Sequence, residues 1–164
     1  MHLVIDGYNL LHTVPELAAA EHRGKGRDAL AAALRLYREQ KGHRITLVFD
    51  GGPRGRASLS GVPVVFSGGE RSADQVIAEM AARHGPGITV VTADRELAAR
   101  CQAQGSEVIA SWEFAPRLMR AAMDGGPKDL EEDEPGWNFT TRKKGPSRRL
   151  PRRLRRRLRR LEEL

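Results

Sequence analysis

Three aspartates stand where apolar runs of this chain stop. Asp6 follows Leu3-Val4-Ile5, Asp50 follows Ile45-Thr46-Leu47-Val48-Phe49, and Asp94 follows Ile88-Thr89-Val90-Val91-Thr92 after Ala93. A fourth, Asp74, falls in the first turn of a helical stretch opening at Ser72. If the apolar runs are parallel strands, three carboxylates converge on one sheet edge. Such a cluster of like charge is costly unless protons or cations neutralise it. Carboxylate oxygens completed by water are what Mg²⁺ or Mn²⁺ prefer. An ion held there lowers the pKa of a bound water and steadies the oxygens of a phosphodiester under in-line attack, so the pattern points to metal-dependent phosphoryl hydrolysis. A second role stays open for each acid: an Asp after a strand also forms turns or caps the next helix. Asp94, in Thr92-Ala93-Asp94-Arg95-Glu96-Leu97, suits a cap, and Asp74 suits the positive end of a helix dipole.

The elements that must position these acids are legible from periodicity. Leu3–Ile5 and 45–49 read as buried strands, 88–92 as another, 107–110 as a short one, and 62–66 as a weaker one because Pro63 suits an edge or a first position. Helices are expected over 27–41, 72–84, 95–104 and 112–123, with Gly42 and Gly85-Pro86-Gly87 as stops. Continuous apolar strands alternating with helices indicate a mainly parallel α/β sheet covered on both faces, with ligands beyond the carboxyl ends of the strands. The stretch from Gly51 to Ser60, with Arg54 and Arg56 among glycines, reads as a loop beside Asp50 that holds a phosphate backbone or is simply an exposed turn.

Composition narrows the classes. The 164 residues allow one ordinary domain with an appendage. The lone cysteine, Cys101, forms neither an internal disulfide nor a thiolate metal site and reads as a packed small residue. The first residues lack a signal peptide's basic region and no apolar run approaches the roughly 20 residues of a membrane span, so the cytoplasm is the expected compartment. Asp6-Gly7-Tyr8 lacks the second acid of a haloacid dehalogenase phosphatase, the paired acids and late lysine of a receiver domain are missing, and no glycine-rich nucleotide fingerprint is present.

At Asp6-Gly7-Tyr8-Asn9-Leu10-Leu11 the sequence resembles the opening motif of the NYN domains, a branch of the PIN-like nuclease superfamily, and specifically its YacP-like group. Val48-Phe49-Asp50-Gly51, Ser72-Ala73-Asp74-Gln75-Val76-Ile77 and Val91-Thr92-Ala93-Asp94-Arg95-Glu96 agree with it in order and spacing. The resemblance spans about residues 1–124. It implies a Rossmann-like PIN fold, an acidic pocket for one or two Mg²⁺ or Mn²⁺ ions, and cleavage of RNA. Asp6, Asp50, Asp74 and Asp94 fall on the family's acidic positions and Asn9 on its pocket amide. In that reading Asp6 and Asp94 ligate metal directly, Asp74 binds a second ion or orients the attacking water, and Asp50 acts through water. Gly7 lets the backbone turn tightly beside the ion. Arg71 and Ser72 either contact a phosphate or serve as a solvated charge and an N-cap; Asn9 either hydrogen-bonds a carboxylate or a substrate phosphate or caps a turn, and Tyr8 either stacks on a base or packs. Trp112 and Phe114 are expected to anchor the last helix.

The formal charge of +7 is uneven. Residues 1–127 carry 15 Lys+Arg against 14 Asp+Glu, whereas 128–164 carry 13 against 7. A nuclease domain over 1–124, a linker over 125–149 with acidic then basic blocks, and an Arg/Leu-rich amphipathic helix over 150–164 are therefore expected. Leu150, Leu154, Leu158 and Leu161 form the stripe, and Arg152, Arg153 and Arg156 are among the arginines that RNA phosphates would neutralise. Anionic lipid or an acidic protein groove satisfies the same pattern; beside a nuclease-like body, single-stranded or messenger RNA, or the ribosome, is the favoured partner. Trp137 and Phe139 either stack on bases or dock the linker. The function expected is a metal-dependent endoribonuclease, and its rival a catalytically silent RNA- or ribosome-binding module.

Overall fold

A computed structural model describes residues 1–124. The expected linker and terminal helix, with Trp137, Phe139, Arg152, Arg153 and Arg156, lie outside the described residues.

Six strands form one sheet: β1 (His2–Asp6), β2 (Arg44–Phe49), β3 (Gly51–Leu59), β4 (Val62–Gly68), β5 (Thr89–Val91) and β6 (Glu107–Ile109), in spatial order β3-β4-β2-β1-β5-β6. All neighbouring pairs are parallel except β3 with β4. Six helices accompany it: α1 (Gly7–Thr13), α2 (Pro15–Glu21), α3 (Gly26–Lys41), α4 (Ala73–His84), α5 (Arg95–Ala103) and α6 (Ser111–Asp124).

Strand alternation sorts the core into two layers. Val4, Val48 and Val90 pack with Ala73, Ile77, Ala81, Leu97 and Cys101 beneath α4 and α5. The opposite face meets α3 and α6, where Tyr37 and Phe114 are buried edge to face with ring centroids 5.1 Å apart. Cys101 is indeed a small buried residue.

The elements depart from expectation in four places. Residues 7–21 form α1 and α2, to which the sequence reading assigned no element. Each has seven residues, too few to display a 3.6-residue period, and each is started by a local signal instead: the Asp6 side chain caps α1 and Pro15 opens α2. The second departure is the stretch expected as a loop, which is strand β3. Its glycines and Pro53 have no strand propensity, and pairing with β4 imposes the conformation, with a register break between Gly51 and Gly55. Pro63 also lies on an inner strand, yet at its beginning: the β2 pairing starts only at Val64, so the absent N–H is not missed. Finally, Trp112 does not anchor α6. It is 59% exposed, and Phe114 alone fills that role, because the buried stripe of the helix runs through Phe114, Leu118 and Ala121.

Candidate functional site

Asp6, Asp50, Asp74 and Asp94 stand at the end of the sheet where β1, β2 and β5 finish. The parallel registers Asp6 with Val48 and Ile5 with Val91 bring those strand ends level. Three of them, Asp6, Asp50 and Asp94, are held by hydrogen bonds from backbone N–H groups.

Asp6 is the deepest, 8% exposed. As the N-cap of α1 it accepts a 3.2 Å hydrogen bond from the Asn9 backbone N–H at Oδ1, and its Oδ2 accepts from the Thr92 hydroxyl at 3.3 Å. Burial pushes its carboxyl up to about 6; the Asn9 hydrogen bond opposes this, and the charges of Asp74 and Asp50 add to it. Asp94 caps α5, its Oδ1 accepting from Leu97 N–H at 2.9 Å, while its own N–H donates to Thr92 Oγ1 at 3.1 Å. Thr92 thus joins two carboxylate-bearing turns through one hydroxyl, donating to Asp6 and accepting from Asp94.

Asp50 is exposed and reaches across to α4, where its Oδ1 accepts a 2.6 Å hydrogen bond from Ala73 N–H, one of the donors left free at a helix start. Asp74, in the first turn of α4, has no hydrogen-bond partner among the described residues. Burial raises its proton affinity first, then Asp94 and Asp50; Arg100 opposes and Glu96 adds a little.

Asn9 is a keystone of this edge. Its Oδ1 accepts from Ala93 N–H at 2.8 Å and from Ser111 Oγ at 2.7 Å, so α1, the β5 exit and the start of α6 meet on one amide oxygen. A backbone N–H can only donate, which fixes that atom as oxygen and leaves Nδ2 as the unused donor. Gly7 does not serve a tight turn beside an ion. It begins α1, and a Cβ there would fall 2.4 Å from Phe49 Cε1 and 2.8 Å from the Val48 carbonyl oxygen, so it is required by close packing. Tyr8 packs edge to face on Phe49 with centroids 5.0 Å apart.

The expected phosphate contacts lie differently. Ser72 closes a capping box with Gln75: its hydroxyl accepts from Gln75 N–H at 3.2 Å, and Ser72 N–H donates to Gln75 Oε1 at 3.1 Å. Arg71 is ion-paired with Glu79 rather than solvated. Arg54 and Arg56 are exposed on β3, a strand rather than a loop. Thr92 and Ser111 escaped the sequence reading; the only signal was a hydroxyl residue where an apolar strand gives way to a helix.

Among the described residues, no group of three or more His, Cys, Asp or Glu side chains is gathered closely enough to hold a metal ion by itself. The donors are nonetheless hard oxygens gathered at one edge. They suit a hydrated divalent cation that takes one or two carboxylates and keeps waters in its remaining positions.

Solved structures of similar shape support the architecture. Rae1 (YacP) from Bacillus subtilis aligns with a TM-score of 0.63 at 24% identity, covering 76% of this chain and 76% of that one. A point variant of the same protein aligns with a TM-score of 0.63 at 23% identity, covering 75% and 77%. No curated protein matches the chain. The family model described as the YacP-like NYN domain matches residues 3–163. Spanning nearly the whole sequence, that match makes this chain a member of the YacP-like NYN family of nuclease-type domains.

Proposed function

We propose that the protein is a metal-dependent endoribonuclease that hydrolyses RNA phosphodiester bonds at the edge bearing Asp6, Asp50, Asp74 and Asp94, with Mg²⁺ or Mn²⁺ as cofactor. The observation that carries the reading is the gathering of four carboxylates at that edge, with Asp6 capping α1, Asp94 capping α5 and Asp50 bonded to the start of α4 beside Asp74; burial first, and then the neighbouring acids, raise Asp6 and Asp74. A fold that keeps four carboxylates at one edge, one of them buried, is relieved by a cation, and a cation is what lets phosphate approach an acidic surface. When bound, the ion supplies charge stabilisation and a water of lowered pKa.

The chain's own residues divide the remaining work. Asp6 and Asp94 would ligate the ion directly, their carboxylates held in place by Asn9 N–H, Thr92 and Leu97 N–H. Asp74, whose oxygens carry no hydrogen bond among the described residues, orients the attacking water or accepts its proton. Asp50 acts at one remove by fixing the start of α4 and so the position of Asp74. Asn9 Nδ2 supplies a donor for a carboxylate or a phosphate oxygen. Capture of RNA, or of a ribosome carrying it, falls to the arginine-rich tail.

The test is incubation of the full chain with labelled single-stranded RNA in Mn²⁺, in Mg²⁺ and in EDTA, beside Asp6→Asn and Asp94→Asn. Cleavage that needs metal and falls about 100-fold or more in both variants is expected. Metal-independent cleavage, or cleavage undiminished in both, overturns the mechanism; RNA binding without turnover points to a silent binding module.

A further inference from the structure

One face of the sheet is only half covered. Val4, Val48 and Val65 lie on it and pack under α4 with Ile77 and Ala81. The β3–β4 register sets Arg56 opposite Val65, so the same face runs on across the hairpin with no helix above it. At its other end, His2 and Arg44 are register partners, and the His2 ring hydrogen-bonds Thr46 Oγ1 at 2.9 Å.

The space between α4 and the hairpin is a groove of about 860 Å³. Arg44, Arg54, Arg56, Arg71, Arg83 and His84 line it, with Glu79 as its one acidic lining residue. Glu79 is already engaged by Arg71 and, at 3.7 Å, by Arg83. The guanidinium groups of Arg44, Arg54 and Arg56 have no hydrogen bond or ion pair among the described residues. His2 senses the surplus: it is held below the ordinary histidine value by burial first, then by Arg44, His84 and the N-terminal amine. Three guanidiniums without a partner among the described residues leave the groove with a surplus of positive charge, which a polyanion would offset. Val65, Val76 and Met80 add apolar surface to the lining, beside Thr46 and Ser67.

We propose that this groove is a phosphate-tracking channel for single-stranded RNA, separate from the carboxylate edge, that grips the strand on one side of the point of cleavage. The proposal rests on RNA being the substrate. β3 leaves Asp50 at the acidic edge and runs antiparallel back along β4, so the groove leads from the carboxylates toward Arg44 and His84. The six residues of β2 measure that path at about 17 Å. The lining arginines match a phosphate backbone, and the apolar side chains among them offer surface to unstacked bases, a pairing that suits a single strand. It also separates two incompatible demands, since the acids that attract a cation repel the flanking phosphates.

The experiment measures binding of a fluorescent RNA of about twelve nucleotides to the full chain in EDTA across a salt series. The variants are Arg44→Gln with Arg56→Gln, and Arg44→Lys with Arg56→Lys. The glutamine pair is expected to bind about tenfold or more weakly, with a salt slope reduced by about 1 to 2, and the lysine pair to bind as the parent does. Crosslinks from 4-thiouridine RNA are expected on β3, β4 and the last turn of α4. Unchanged affinity in the glutamine pair overturns the proposal, as do crosslinks confined to the tail or the carboxylate edge, or a lysine pair as weak as the glutamine pair. An acidic peptide that needs these arginines when RNA does not makes the groove a protein site instead. Because binding is read without metal, RNA held in the groove but never cut refutes only the nuclease reading. RNA cut normally but bound alike by all variants refutes only the groove.

Discussion

Asn9 and Ser111 lie 102 positions apart in the chain, and the Ser111 hydroxyl donates a 2.7 Å hydrogen bond to the Asn9 amide oxygen. The same oxygen holds Ala93 N–H. Asn9→Ala would leave both donors without that acceptor, Ser111 being fully buried, and should cost about 1–3 kcal/mol. Ser111→Ala removes a single neutral bond and should cost about 1 kcal/mol. Urea denaturation of the two variants checks the order; equal stability of Asn9→Ala and the parent would show that the amide does not hold this edge together.

Asp6 gives the metal-free protein a pH signature. Its proton affinity is raised to about 6 in the fold from an ordinary 3.8, so between those values the native state binds more protons than the unfolded chain. The contribution of this group is therefore fully present below about pH 4 and is lost as pH rises through about 6. Asp6→Asn abolishes the titration yet keeps a capping oxygen. In EDTA its stability advantage over the parent should grow from near zero at pH 4 to as much as about 3 kcal/mol at pH 7. Adding Mg²⁺ should narrow the gap at pH 7, because a cation bound by the native carboxylate stabilises the parent. Melting curves at several pH values decide it, and an advantage independent of pH would contradict it.

Asp50 and Asp74 should separate stability from chemistry. Asp50→Ala deprives Ala73 N–H of its acceptor and should lower stability by about 0.5–2 kcal/mol. Asp74→Asn removes a carboxylate strained by its neighbours and should leave the melting temperature unchanged or raise it. Its cleavage rate should nevertheless fall on the order of 100-fold. Parallel melting and RNA cleavage assays test this; an Asp74→Asn enzyme of normal rate would remove that residue from the chemistry.

Removing the chain after Gly126 tests the tail. Since the apolar core described here lies within residues 1–124, the shortened protein should melt as a folded domain. It should bind RNA more weakly and with a shallower salt dependence, having lost most of the net positive charge. Equal affinity at every salt concentration would assign the tail another purpose.

The parts of this architecture legible in the sequence were those with long periods. Buried strands such as 45–49 and helices such as 27–41 display their faces over enough residues to be read, and acids after strands reveal a shared edge once the strands are taken as parallel. What could not be read depends on partners distant in the chain. Gly51–Leu59 is a strand because β4 pairs with it, not because of its residues. Thr92 and Ser111 gain their roles only when strand ends meet, as does Asn9 in serving two donors at once. Gly7 looks like a turn glycine until Phe49 is seen against it. Trp112 looked like an anchor because large aromatics usually are buried, but helix phase put Phe114 there instead.

The antiparallel strand also has a consequence for solubility. β3 is the outermost strand, so its free side exposes backbone groups that another chain could extend into a continuous ribbon. Pro53 removes one donor from that row, the register break between Gly51 and Gly55 bends it, and Arg54 and Arg56 charge it. A second copy approaching edge to edge meets a kinked, cationic border instead of a flat template. The hairpin that widens the sheet thus also guards this border, opposite the β6 border, against polymerising through its own backbone.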